Sequence, residues 1–177
     1  MNNKVLVETS ARHAHISQEH LEILFGEGYE LTKKKDLSQP GQYACEERIA
    51  VIGPKGQFPG VSILGPVRPA TQVEISASDA RSIGVQAVVR ESGDIKGSAP
   101  ITIIGPQGIV TLSEGCIIAN RHIHLTPQYA AQHEISDGDW VDVVCHGKEK
   151  TTKFYDVQIR VRDDFNVEMH IDTDDAN

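Results

Sequence analysis

Two short stretches, Ala11-Arg12-His13-Ala14-His15 and Asn120-Arg121-His122-Ile123-His124, repeat one arrangement of ligand-type side chains in the two halves of the chain. Imidazole is a good ligand for zinc and related metals. On an extended strand successive side chains point to opposite faces, so His13 and His15 share a face, as do His122 and His124. Each pair offers two imidazoles to one point. The continuation repeats as well: Ser17 and Thr126 hold the same offset and suit a helix N-cap, and Pro127 suits the first helical position. A strand carrying His-x-His is therefore predicted to run twice into a capped helix. A plainer reading remains open, in which an old duplication has left histidines on the surface.

A fifth histidine, His170, falls in a strand-like run from Val167 to Ile171. Five histidines could serve two metals, His13 and His15 at one centre and His122, His124 and His170 at the other. A carboxylate would be wanted to complete or bridge them, and spacing alone does not choose it. Glu74, in the strand-like Thr71-Gln72-Val73-Glu74-Ile75-Ser76, lies just after Arg68. An arginine beside a metal centre would clamp an oxyanion through its planar fork of donors. Pattern alone reads Glu74 and Arg68 equally well as an ordinary surface pair. His20, His133 and His146 read as surface residues, and the acidic tail Asp172, Asp174 and Asp175 either orients His170 or is simply solvated.

The elements that must position these groups are mostly short strands. Val5 to Val7 starts a strand leading to His13, and Gln18 to Gly26 is predicted as a helix with Leu21, Ile23, Leu24 and Phe25 for the core, closed at Gly28. Lys33-Lys34-Lys35 reads as a solvated turn, and Asp36 to Gln42, with its Pro40-Gly41 pair, as a breaker. Runs at Arg48 to Ile52, Val61 to Leu64, Gln72 to Ile75 and Ala87 to Val89 are β-prone, and Gly53-Pro54, Gly65-Pro66 and Gly84 punctuate them. That spacing suits a barrel. Strands near 101–104, 109–112 and 116–119 precede the second histidine strand. A helix from Pro127 to about His133 follows, and Trp140 to Cys145 with Lys153 to Val161 read as a hairpin. The expected fold class is mainly β: two small β-barrel domains with short helices, internally duplicated. A soft boundary in the polar stretch from Glu91 to Ser98 divides 1–92, carrying the first histidine pair, Arg68 and Glu74, from 93–177, carrying the second pair and His170.

Length and composition bound the function. A chain of 177 residues can bury an adequate core as one domain or two small fused ones. A formal net charge of −8 argues against a nucleic-acid surface. No apolar run approaches the roughly 20 residues of a membrane span, and Met1 to Lys4 leads directly into a strand pattern without a signal peptide. The protein is thus expected to be soluble and cytoplasmic. Cys45, Cys116 and Cys145 are odd in number and widely spaced, which suggests neither a disulfide framework nor a cysteine zinc site.

Taken together, these motifs resemble the metal-dependent phosphate acyltransferases, or phosphotransacylases, of the PduL-type phosphate propanoyltransferase family, found in bacterial microcompartments and some fermentative pathways. The resemblance rests on Ser10 to His15, Lys35 to Gln42, Leu64-Gly65-Pro66-Val67-Arg68, Thr71 to Ser76, Arg90-Glu91-Ser92-Gly93, Arg121 to Pro127 and Met169 to Asp174. It spans nearly the whole chain. What it implies is a pair of small β-barrel domains with a dinuclear zinc site, and coenzyme A bound between them. By motif, one zinc would be held by His13, His15 and Glu74 with the coenzyme A sulfur, the other by His122, His124 and His170 with water, and Arg68 would hold phosphate. The implied reaction converts acyl-CoA, propanoyl-CoA or acetyl-CoA, and phosphate reversibly into acyl phosphate and coenzyme A, with no covalent acyl-enzyme. The residues contacting the coenzyme A nucleotide are not assigned. Members of microcompartments usually carry an N-terminal extension absent from this sequence, which favours the cytoplasm, and association into a homo-oligomer is expected. Two other functions use the same histidines: a dinuclear zinc hydrolase independent of phosphate, and a non-catalytic binding module with closed four-ligand zinc sites.

Overall fold

The computed structural model describes residues 4–177, so the leader expectation built on Met1 to Asn3 lies largely outside the described residues. In chain order the elements are β1 (Leu6–Ser10), β2 (His13–His15), α1 (Gln18–Phe25), β3 (Lys33–Asp36), β4 (Tyr43–Ile52), β5 (Gln57–Gly65), β6 (Gln72–Glu74) and α2 (Ala77–Ile83). Then follow β7 (Val88–Arg90), β8 (Ala99–Ile104), β9 (Ile109–Ala119), β10 (His122–Leu125), α3 (Pro127–Gln132), β11 (Trp140–His146), β12 (Thr151–Val161), β13 (Glu168–Asp172) and α4 (Thr173–Ala176). The chain is mainly β, with short helices. Among the described residues no helix is long and apolar enough to cross a membrane.

The described residues form two compact units, one of residues 11–119 with 172–175 and 177, the other of residues 4–10 with 120–171 and 176. In the larger unit β4, β5, β2, β6, β9 and β8 pair in a ring, because β8 bonds to both β9 and β4, and the result is a closed six-stranded barrel. Closure removes the unpaired edges that an open sheet exposes. The length of β4 makes it possible: its Ala50 to Ile52 pair with Thr102 to Ile104 of β8, while its start pairs with β3. Val51, Ile63, Val73, Ile103 and Cys116, all fully buried, belong to one apolar cluster that Leu21 and Leu24 of α1 join. The smaller unit is a five-stranded sheet in the order β1-β13-β10-β12-β11, packed through Ile123, Leu125, Phe154, Val157 and Met169.

Both histidine strands sit in the interior of their sheets. β2 lies between β5, parallel, and β6, antiparallel; β10 lies between β12, parallel, and β13, antiparallel. The expected helices follow them. Ser17 Oγ accepts from the His20 amide at the start of α1, and Thr126 Oγ1 accepts from the Tyr129 amide at the start of α3. Each cap satisfies one of the amide donors a helix start leaves open.

Local expectations are corrected in four places. The first helix, expected over Gln18 to Gly26 with Gly28 closing it, ends at Phe25 and is closed by Gly26, which takes a positive φ of 117° and whose amide bonds to the Glu22 carbonyl. Ile23 points outward at 45% exposure, since Leu21, Leu24 and Phe25 already make the apolar stripe. Lys33 to Lys35 form an exposed edge strand on β4 in place of a turn, its charges suiting an edge that must not pair further. Finally, α2 fills a stretch to which the sequence reading assigns no element: Ser76 caps the Asp79 amide and Gly84 closes the helix at φ 76°.

Candidate metal-ligand sites

In the barrel unit the antiparallel register of β2 and β6 sets His13 opposite Glu74 and His15 opposite Gln72. His13 Nε2 lies 3.5 Å from Glu74 Oε2, and His15 Nε2 lies 3.9 Å from Glu74 Oε1. One ligand atom from each of the three residues falls within 4.8 Å of the others, and all three residues are buried. The surface-pair reading of Glu74 is thereby overturned: the side chain is in the interior, aimed at two imidazoles.

The far side of each ring is fixed. His13 Nδ1 donates to the Ala11 carbonyl at 2.9 Å, and His15 Nδ1 donates to the Leu64 carbonyl at 3.1 Å. A neutral imidazole protonated on Nδ1 carries its lone pair on Nε2, so both lone pairs face the carboxylate. Burial, with His13 and Arg68 nearby, lowers His15 to about 3, so it is neutral at neutral pH. Burial pushes Glu74 up, but the His13 and His15 rings, the Ser92 hydroxyl and the Arg68 charge outweigh it and hold Glu74 at about 2. The Nδ1 anchors turn both Nε2 atoms toward the carboxylate, and the electron pair of the neutral His15 ring converges with that anion unless a cation lies between them. Backbone-anchored imidazoles facing a carboxylate are the donor set a zinc-type ion takes.

The carboxylate is itself positioned. Glu74 Oε1 accepts from Gln72 Nε2 at 2.5 Å and from Ser92 Oγ at 2.7 Å, and Gln72 Oε1 accepts from the Gly93 amide at 2.8 Å. Arg68 enters this network through Nη1, which donates to Ser92 Oγ at 3.2 Å, while its amide is tied to the Ile16 carbonyl at 2.9 Å. The segment before Arg68 is packed so closely that a Cβ on Gly65 would overlap the Tyr43 ring. Arg68, half-buried, thus sits within electrostatic reach of His15 and Glu74. Ser92 and Gln72 were not singled out from the sequence as site residues. Ser92 lies in the Arg90-Glu91-Ser92-Gly93 motif and Gln72 in the stretch that carries Glu74, and their role requires knowing that the first folds back against β6.

In the other unit the corresponding register sets His122 opposite His170 and His124 opposite Glu168. The rings of His122, His124 and His170 have centroids 4.7, 4.9 and 5.3 Å apart. His122 Nδ1 donates to the Asn120 carbonyl at 2.7 Å, two residues before it, as His13 does to Ala11. His124 is 6% exposed, and neither of its ring nitrogens has a hydrogen-bond partner. Burial first, then its histidine and arginine neighbours, lowers it to about 2. Leaving a buried polar atom unpaired costs on the order of 1–3 kcal/mol; a ligand-binding nitrogen is such an atom. Phe165 stacks on the His124 ring at 3.9 Å and fixes its plane.

Several neighbours of the histidines have structural duties. Arg12 grips Asp79 with two hydrogen bonds of 2.8 and 2.6 Å and lies over Phe58, while Arg121 lies over Phe154. Asp174 accepts from Ser76 Oγ and the Ser78 amide, and Asp172 caps α4, so the carboxylate found on His170 is Glu168 instead. His20 is half-buried and bonded to Thr71 Oγ1 at 2.8 Å.

The barrel and its converging histidine-carboxylate set define a mainly β protein built around a candidate metal site. Comparison with known proteins gives the family. The phosphate propanoyltransferase family model matches residues 6–177. The chain is 52% identical over 173 residues to a phosphate propanoyltransferase of Thermotoga maritima, covering 98% of this chain and 82% of that protein. It is 55% identical over 174 residues to one of Lachnoclostridium phytofermentans, covering 98% and 81%, and 50% identical over 173 residues to one of Listeria monocytogenes, covering 98% and 81%. The chain belongs to the phosphate propanoyltransferase family and is an acyltransferase.

Proposed function

We propose that the chain transfers a propanoyl or acetyl group reversibly between coenzyme A and inorganic phosphate, at a site holding two zinc ions. Family membership over nearly the full length supports the reaction. The observation that carries the metal requirement is the set of lone pairs from His13, His15 and Glu74 facing one another in the protein interior. One ion would be held by these three residues and the other by His122, His124 and His170. When bound, the ions supply Lewis acidity to the thioester and to the departing sulfur.

The chain's own residues do the rest. Arg68 binds phosphate, since its planar fork can address two oxygens at once and its charge offsets theirs. Ser92 accepts from that fork while its own hydroxyl donates a hydrogen bond to Glu74. A phosphate oxygen forms the bond to the acyl carbon as the carbon–sulfur bond breaks; the sulfur leaves with its electron pair, and the phosphate proton ends on the thiol. No protein nucleophile takes part in this scheme. Burial pushes the Cys45 thiol up to about 11 and the Cys116 thiol up to about 12, which keeps both protonated and unreactive. Direct transfer between bound partners gains its rate from proximity and orientation.

The test is thiol release from propanoyl-CoA and acetyl-CoA on metal-loaded protein, with and without phosphate. The expected result is release that requires phosphate and yields acyl phosphate in equal amount. Release without phosphate would assign a hydrolase, and bound metal without release would assign a binding module.

A further inference from the structure

The sequence marks five histidines and one glutamate as ligands, but β13 brings a second buried carboxylate to the histidine face. Glu168 is 3% exposed. In the β10–β13 register it lies opposite His124, and two residues further on His170 lies opposite His122, so all four side chains share one face of two adjacent strands. Glu168 Oε2 is 3.1 Å from His170 Nε2. Its strand neighbours Met169 and Ile171 point to the opposite face, into the apolar cluster, while Glu168 is buried on the histidine face. A carboxylate placed there without donors would cost several kcal/mol.

We propose that Glu168 is a positioning residue that fixes the ring of His170 for metal binding, a reading that rests on the metal assignment above. The carboxylate accepts the Nε2 proton of His170 and selects the tautomer with the lone pair on Nδ1. His13, His15 and His122 are set the other way round, with Nδ1 tied to a backbone carbonyl. His170 therefore differs from these three in the anchor of its ring, a carboxylate on Nε2 in place of a backbone carbonyl on Nδ1. Such a partner holds the ring plane and makes the imidazole a stronger donor, whereas a carbonyl does the first and less of the second.

The experiment compares wild type, Glu168→Ala and Glu168→Gln as full chains. In the metal-free proteins, long-range proton–nitrogen spectra of the histidine rings report the tautomer: His170 is expected protonated on Nε2 in wild type and to lose that preference in Glu168→Ala. Zinc competition against a chromophoric chelator should show the weaker ion of Glu168→Ala bound roughly 10–100-fold less tightly. Binding of the other ion should be unchanged. Glu168→Gln keeps an acceptor oxygen and the side-chain volume; it should hold the tautomer and recover most of the affinity, while the visible spectrum of the cobalt-loaded protein shifts. Should Glu168→Ala not fold, the Gln variant decides alone, and an unchanged cobalt spectrum together with unchanged affinity overturns the proposal. Wild-type tautomer and affinity in Glu168→Ala overturn it as well. A wild-type chain that takes up fewer than two ions refutes the metal assignment itself, which separates the two failures.

Discussion

His13 and Glu74 oppose each other across the antiparallel pair β2–β6, with Nε2 and Oε2 3.5 Å apart, and β10–β13 opposes His122 to His170 in the same register. A strand pair in register delivers two side chains to one face without any loop having to find its place. Both candidate ligand sets are therefore as rigid as the sheets that carry them.

Glu74→Gln keeps the shape of that arrangement and removes its charge. The barrel set should then lose its ion, with affinity falling by more than the roughly 10–100-fold typical of losing only a ligand's hydrogen-bond partner. Metal content by atomic absorption and turnover of propanoyl-CoA should fall together. A Gln variant that keeps two tightly bound ions would remove Glu74 from the ligand set.

The proposed role of Arg68, holding phosphate and not the metal, separates its variants from those of the ligands. Arg68→Lys keeps the charge but loses the fork, and Arg68→Ala loses both. KM for phosphate is expected to rise roughly ten- to a hundredfold in Arg68→Ala, from the loss of charged hydrogen bonds worth about 1.5–3 kcal/mol. Metal content should stay at the wild-type value. Steady-state kinetics with phosphate varied at fixed propanoyl-CoA read this directly, and an unchanged phosphate KM would exclude the role.

Acid should destabilise the metal-free chain from the histidine side first. His15 and His124 titrate at 6.5 when unfolded but are lowered to about 3 and about 2 in the fold, so the unfolded chain binds more protons as pH falls below 6.5. Stability is full above 6.5 and declines steadily toward pH 3. Glu74, lowered from 4.5 to about 2, adds a further loss below about pH 4.5, with the same sign. Urea titrations of the metal-free protein at pH 7.5, 6 and 5 should give falling midpoints. A flat profile would mean that these groups are not buried as described.

Gly65→Ala tests the packing that carries Arg68. The new methyl would overlap the Tyr43 ring, and overpacking of this kind costs about 1–3 kcal/mol. A lower melting temperature is expected, together with a weakened phosphate KM, because Arg68 lies three residues on. Tyr43→Ala in the same chain should restore part of both.

How far the sequence reaches can be judged from particular residues. His13 with His15 and His122 with His124 are legible as facing pairs because a strand has period two, and Ser17 and Thr126 because caps act locally. Register is not local. That Glu74 meets His13, that Ser92 and Gln72 hold Glu74, and that Glu168 meets His170 all depend on which strands pair and in what alignment. The barrel closure through Ala50 and Ile104 likewise joins strands whose patterns say nothing of each other. The α2 helix is a different kind of omission. Its Ser76-Ala77-Ser78-Asp79 start has the spacing of a capping box, but the β-prone run before it hid the signal. Lys33 to Lys35 misled because charge reads as loop, although an exposed edge strand tolerates charge well.

Zinc-dependent acyl transfer to phosphate is tested most directly by following propanoyl-CoA and phosphate by phosphorus NMR, before chelation, after chelation and after zinc is restored. The expected record is propanoyl phosphate formed in step with free thiol, abolished by the chelator and recovered with zinc. Propanoate in place of propanoyl phosphate, or full turnover after the metal is stripped, would contradict it.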